Sequence, residues 1–267
     1  MYRALAFLQR DWRIQLSYRV AFVLQLLGVL FNLLLFYFLS ALIGDAAAPY
    51  LVDYGGDYFA FVLIGLAFAG YFGVGLRSFA SNLREAQTTG TLEAMLLTPT
   101  RLSTVILSSS LYDYGLVTLQ VLAYLAFGAT LFGVRFNGNW PAALLILALT
   151  IVAMTSIGII AASFIMVLKR GDPVTWLFGN ALQLLGGVYY PIGVLPGWLQ
   201  APAKLLPITY ALGAMRKALL NNASIRELLW PDLGALALSC LVLVPLSLLS
   251  FRAAVHRAKV DGSLAHY

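Results

Sequence analysis

Long apolar runs separated by short polar connections make up most of the chain. The runs fall at 20–43, 58–80, 102–132, 141–168, 174–195 and 232–251, and a hydrocarbon core of about 30 Å needs about 20 helical residues to cross it. The pattern predicts six transmembrane helices. The third run is longer than a bilayer requires and is interrupted by Asp113, so its first turns are expected to project beyond the hydrocarbon. Ahead of the first run, residues 1–19 place Leu5, Leu8, Trp12 and Leu16 on one stripe with Arg3, Arg10 and Arg13 largely opposite. That is the pattern of an amphipathic helix lying in the membrane interface. With no small-residue cleavage site after it, the segment is not read as a removable signal peptide.

The connections are informative in their own right. The largest, from Arg77 to Arg101, carries a short apolar face of Leu92, Met95 and Leu96, and Pro99 stops its helix. Lys169, Arg170 and the turn Gly171-Asp172-Pro173 divide the fourth run from the fifth. Beyond Tyr190, the prolines Pro191, Pro196, Pro202 and Pro207 cut the sequence into apolar pieces too short to span alone. The segment 196–230 is therefore read as a re-entrant or interfacial hairpin.

Composition agrees with a membrane-embedded chain. Of 267 residues, 61% are apolar and only 10% charged, against a charged share of about 25% in soluble domains, and the mean hydropathy is +0.86. A water-soluble globule is excluded. The net charge of +6 arises from clusters flanking the apolar runs and orients the chain rather than recruiting nucleic acid. Six spans put both termini on one side, together with twelve of the 17 lysines and arginines. Arg135, Lys204, Arg216, Lys217 and Arg226 lie on the other. The positive-inside rule then makes the termini, the 77–101 connection and the 169–173 turn cytoplasmic, and the hairpin extracellular. The expected fold is an all-α integral membrane protein, a single permease-like domain over 1–267, with an interface helix, six transmembrane helices and a hairpin between the fifth and sixth.

Catalytic chemistry is not predicted. Both histidines, His256 and His266, sit in the tail, and Cys240 is the sole cysteine, so neither a metal site nor a Ser/His arrangement is expected at depth. Tyr112-Asp113 has half of an intramembrane aspartyl protease pair, but the second aspartate in a Gly-x-Gly-Asp setting is missing. No G-x-x-x-x-G-K-[ST] loop is present to cradle nucleotide phosphates, so any energy from ATP must come through a partner. Asp113 is either a functional group at depth or a group near the cytoplasmic headgroups, within reach of the Arg101 end of its run. Gln25 with Asn32, and Asn180 with Gln183, each put two amides on one helix face. Such faces bond to neighbouring helices or line a path. Ala69, Gly73, Gly158 and Ala162 are expected to allow close helix packing.

REAQTTGTLEAMLLTPTR at 84–101, GGVYYPIGVLPGWLQ at 186–200 and LPITYALGAMR at 206–216, in that order and with the amphipathic start and six spans, resemble the type-2 family of ATP-binding-cassette (ABC) transporter permeases. The resemblance covers nearly the whole chain. It implies a half-size permease that pairs with a second copy, identical or similar, and docks on a separate cytoplasmic ATPase subunit that binds ATP and Mg. The permease itself would hold no cofactor. The 82–99 connection then becomes the coupling loop, with Glu85, Gly90, Thr91, Leu92, Glu93, Met95, Leu96 and Pro99 as its working residues. The interface helix, through Arg3, Leu8, Arg10, Trp12 and Arg13, would touch both lipid and the ATPase. The hairpin residues Pro191, Pro196, Trp198 and Pro207 would dip from outside and help close the exit. Gln25, Asn32, Phe72, Asn180, Gln183, Tyr189 and Tyr190 are the candidate path residues, within an aromatic wall that also includes Phe31, Phe36, Tyr37, Phe68 and Tyr71. The resemblance thus implies an ATP-driven exporter for an amphipathic, lipophilic or lipid-linked substrate in a bacterial-type cytoplasmic membrane. Alternatives are a polysaccharide or lipid-linked glycan exporter, an ion-coupled secondary transporter, and a non-transporting scaffold.

Overall fold

The computed structural model describes residues 19–88, 102–168, 179–180 and 183–260. The interface-helix residues Arg3, Leu8, Arg10, Trp12 and Arg13, and the loop residues Gly90, Thr91, Leu92, Glu93, Met95, Leu96 and Pro99, lie outside them. The described residues are mostly helical, with no strand among them. Among the described residues, four mainly helical stretches are long and apolar enough to cross a membrane: Phe22–Ile43, Tyr58–Gly75, Trp140–Phe164 and Ile225–Ala254.

Helix α1, Arg19–Ile43, is an unbroken apolar run that gives way to a 3-10 turn at Gly44. Helix α2, Tyr58–Thr88, starts where Asp57 caps it by accepting from the Phe59 N–H at 2.9 Å. It continues well past the apolar stretch, because no glycine or proline interrupts residues 77–88. Its 31 residues span roughly 46 Å at 1.5 Å each, more than the hydrocarbon. Helix α3 is Leu102–Thr130 and α4 is Trp140–Leu168. Asn139 caps α4 by accepting from the Ala142 N–H at 3.2 Å, with Pro141 in the first turn, where its missing donor costs nothing.

The fifth apolar run departs from expectation. Its helix ends at residue 185 rather than 195, and the chain turns at Gly187, whose φ of +76° is a left-handed conformation open to glycine. The break therefore precedes the prolines. Helix α5, Gly197–Leu205, and α6, Pro207–Leu220, are divided by Leu206, which is extended at φ −84° and ψ 125°. Steric pressure from Pro207 excludes Leu206 from the helical region. Ser224 and Glu227 form a reciprocal capping box that starts the short α7, Ile225–Leu228. The last helix, α8, is Gly234–Val260 and outruns the expected 232–251 at its C-terminal end.

Helix α4 is the central element, packed most extensively against α8 and α2 and then α6, while α2 also lies along α3. Missing side chains permit the closest approaches: a Cβ on Gly75 would stand 2.7 Å from Met154 Cβ, and one on Gly128 would stand 2.3 Å from Leu63 Cδ1. Helix α6 is buried along most of its length. Helix α1, by contrast, buries Val29 and Leu33 alone among its residues of described burial and presents Leu24, Leu27, Phe31, Leu35 and Phe38 outward.

Candidate functional site

Between α1, α2, α3 and the helical residues that precede the Gly187 turn lies a cavity of about 290 Å³. Helix α2 contributes Leu66, Ala69, Gly70, Phe72 and Gly73; α1 contributes Asn32; α3 contributes Gln120 and Tyr124; Gly179, Gln183 and Tyr189 complete it. The small residues on α2 make the space. A Cβ built on Gly73 meets nothing within 4 Å, so this glycine opens a void rather than the close helix contact its composition suggested.

Among the described residues the lining combines side-chain amides, phenols and apolar groups. Asn32 donates through Nδ2 to the Gly28 carbonyl at 3.0 Å, which leaves its Oδ1 as an acceptor. Gln120 lies against the Tyr124 hydroxyl. The Tyr189 ring is stacked on Phe36 of α1, centroids 5.6 Å apart and planes 12° from parallel. An uncharged group with hydrogen-bonding capacity and an apolar body matches such a surface.

Of the candidate path residues, the cavity gathers Asn32, Phe72, Gln183 and Tyr189. Gln25 borders a separate void of about 10 Å³ with Phe22, Leu26, Val29, Leu116, Leu119 and Gln120, room for about one water. Asn180 and Tyr190 do not line the cavity; Gly179 and Gln183, one turn apart, do. The aromatic wall is mostly packing. Tyr71 and Phe68 are buried, with Tyr71 stacked on Tyr114 and hydrogen-bonded to Thr118 at 2.8 Å. Tyr37 packs on Phe59 and Phe132, and Phe31 points outward. Asp113 accepts from the Ser78 hydroxyl of α2, tying α2 to α3. Glu85 belongs to the C-terminal part of α2.

Around the hairpin, Pro191 and Pro196 stand at the starts of a 3-10 turn and of α5, and Pro207 begins α6 and is buried. Trp198 is exposed. Arg216 counts in the sequence only among the charges of one membrane side, with no role of its own. It is 3% exposed. Its Nε donates to the Phe61 carbonyl of α2 and its Nη2 to the Val188 carbonyl, each at 3.0 Å, and its guanidinium lies 3.4 Å from the centre of the Phe61 ring. Burial pulls its pKa down to about 9, which leaves it charged at neutral pH. The signal was present: its helical neighbours are Leu212, Gly213, Leu219 and Leu220, so it sits on the apolar face of α6. Lys217, one position on, faces elsewhere and pairs with Asp232 at 2.7 Å. Burial depresses the Lys217 pKa, but the hydrogen bond and charge of Asp232 outweigh that and raise it above its ordinary value.

A sequence model of the family described as "ABC-2 type transporter" matches residues 2–220. The chain is also similar to the linearmycin resistance permease protein LnrN of Bacillus subtilis (strain 168), with 27% identity over 114 residues, which is 41% of this chain and 30% of that protein. The match thus spans under a third of the relative's length.

Proposed function

The chain belongs to the ABC-2 type transporter family, the transmembrane permease component of ABC transporters, and from that premise we propose that it exports an amphipathic, lipophilic or lipid-linked compound across a bacterial-type cytoplasmic membrane. The observation that carries the reading is the cavity lined by Asn32, Gln120, Gln183, Phe72, Tyr124 and Tyr189. Its amides suit an uncharged polar part of the cargo, and its apolar groups suit the remainder. The relative's name ties it to linearmycin resistance, and resistance through a permease supports outward movement as the reading here.

In this proposal six spans place both termini in the cytoplasm, and the 196–230 hairpin re-enters from outside. A separate ATPase subunit, loaded with ATP and Mg, docks on the 82–99 loop through Glu85, Gly90, Thr91, Leu92, Glu93, Met95, Leu96 and Pro99. The interface helix contacts it through Arg3, Arg10 and Arg13, while Leu8 and Trp12 hold the lipid. A second permease copy completes the channel. ATP binding clamps the ATPase subunits, and α2, continuous from the cavity into the loop region, transmits the movement.

The test is transport into inverted vesicles containing the permease and its ATPase subunit, with a fluorescent amphiphile bearing a neutral polar head as cargo. Uptake is expected with ATP and absent with a non-hydrolysable analogue. Uptake driven by a proton or sodium gradient without ATP would overturn the reading.

A further inference from the structure

A buried guanidinium usually faces a carboxylate, because an unpaired charge is costly away from water. Arg216 has no carboxylate against it among the described residues; its two hydrogen bonds go to backbone carbonyls on two different elements. One, Phe61, is inside α2, and the other, Val188, is in the turn that ends the fifth apolar run. Val188 is itself fully buried. The next residue, Tyr189, lines the cavity and stacks on Phe36. Gly65 of α2 completes the arrangement. A Cβ there would stand 2.1 Å from the Val188 carbonyl oxygen and 2.7 Å from Arg216 Nη2, so the turn reaches the arginine only because position 65 has no side chain.

We propose that Arg216 is a positioning residue for the cavity wall: by holding the Val188 carbonyl against α2, it fixes Tyr189 over the cavity and on the Phe36 ring. The planar fork of the guanidinium serves this role because it bonds two carbonyls in fixed directions while its face rests on Phe61. A lysine at this position keeps the charge but not the fork, so it loses one of the two anchors. When the anchor is lost, the turn and Tyr189 move together, and the cavity opens to water. The consequence for transport rests on the cavity being part of the cargo path; the positioning itself does not.

The experiment uses the full chain in lipid nanodiscs, in a Cys240→Ser background with a single reporter, Gln183→Cys, labelled by a water-soluble maleimide. Arg216→Lys removes one anchor, and Gly65→Ala sets a Cβ against both the Val188 carbonyl and Arg216 Nη2, displacing the same turn with the guanidinium retained. Both are expected to speed labelling about tenfold, the factor that corresponds to losing one buried hydrogen bond. Tyr189→Ala is expected to speed labelling similarly while leaving the anchors in place. Adding Arg216→Lys to Tyr189→Ala should then produce no further increase. Unchanged labelling in a folded Arg216→Lys or Gly65→Ala protein would overturn the proposal, and so would an additive effect in the double variant. Where Arg216→Lys fails to fold, Gly65→Ala and Tyr189→Ala with their double variant decide the matter by the same criterion. Faster labelling with unchanged transport would keep the positioning role and remove the cavity from the cargo path.

Discussion

Replacing Gly73 with phenylalanine is expected to cut ATP-dependent transport by about a hundredfold, the size of a steric exclusion from a fitted pocket, while the protein still folds and still binds its ATPase subunit. The reason is local. Position 73 faces the cavity of about 290 Å³, and a Cβ there contacts nothing within 4 Å. A phenyl ring would occupy the space a cargo group needs without displacing a helix. Helix α2 does not suffer from the change, because glycine in a helix interior is already worse than most residues by several tenths of a kcal/mol. Gly75 supplies the control. Two residues further along, a Cβ would meet Met154 Cβ at 2.7 Å and the Met154 backbone at 3.0 Å, so Gly75→Phe forces α2 and α4 apart and should lower the unfolding midpoint sharply. The measurement pairs vesicle uptake with thermal unfolding for both variants. Full transport by a folded Gly73→Phe protein would remove the cavity from the path.

The second large effect is expected in the proposed coupling loop at 82–99. Leu96→Asp puts a charge on the short apolar face of Leu92, Met95 and Leu96, and Glu93→Arg reverses the charge beside it. An apolar anchor seated in a partner's groove carries much of a docking energy. Either change should therefore reduce both co-purification with the ATPase subunit and permease-stimulated ATP hydrolysis by about tenfold or more. Glu93 and Leu96 follow the cavity residues of α2 by 20 positions or more in the sequence, so cysteine labelling at Gln183 should stay as in the unaltered protein. Wild-type stimulation of ATP hydrolysis in both variants would place the docking surface elsewhere.

The features that were legible in the sequence are those governed by local rules. Apolar runs set the helical fold, and the fourth run, expected over 141–168, is a helix from Trp140 to Leu168. Asn32 and Gln183 stood out as amides in apolar surroundings, and the structure brings both to the same cavity with Phe72 and Tyr189. Gln120 and Tyr124 lie one turn apart on one face of α3, yet the pair was not singled out. Their role depends on which helices meet, which is a tertiary fact. Gly73 and Gly75 look equivalent along the chain, yet one opens a void and the other permits contact. The difference lies in which neighbour each faces. Arg216 and Lys217 entered the sequence reading only as charges of one membrane side, yet adjacent helical positions point about 100° apart. One of the pair reaches the core and the other reaches Asp232. The helix end at residue 185 was hidden by the prolines beyond it, although Gly186 and Gly187 offered the earlier break.

The central claim is that this chain is a permease driven by a separate ATPase subunit. The most direct measurement is co-expression with a candidate ATPase subunit, purification in detergent through a tag on the permease, and assay of the eluate for composition and ATP hydrolysis. The expected result is a stoichiometric complex of two permease copies with two ATPase subunits that hydrolyses ATP faster than the ATPase alone. A permease that elutes by itself with every plausible ATPase subunit, and confers no ATP hydrolysis, would contradict the claim.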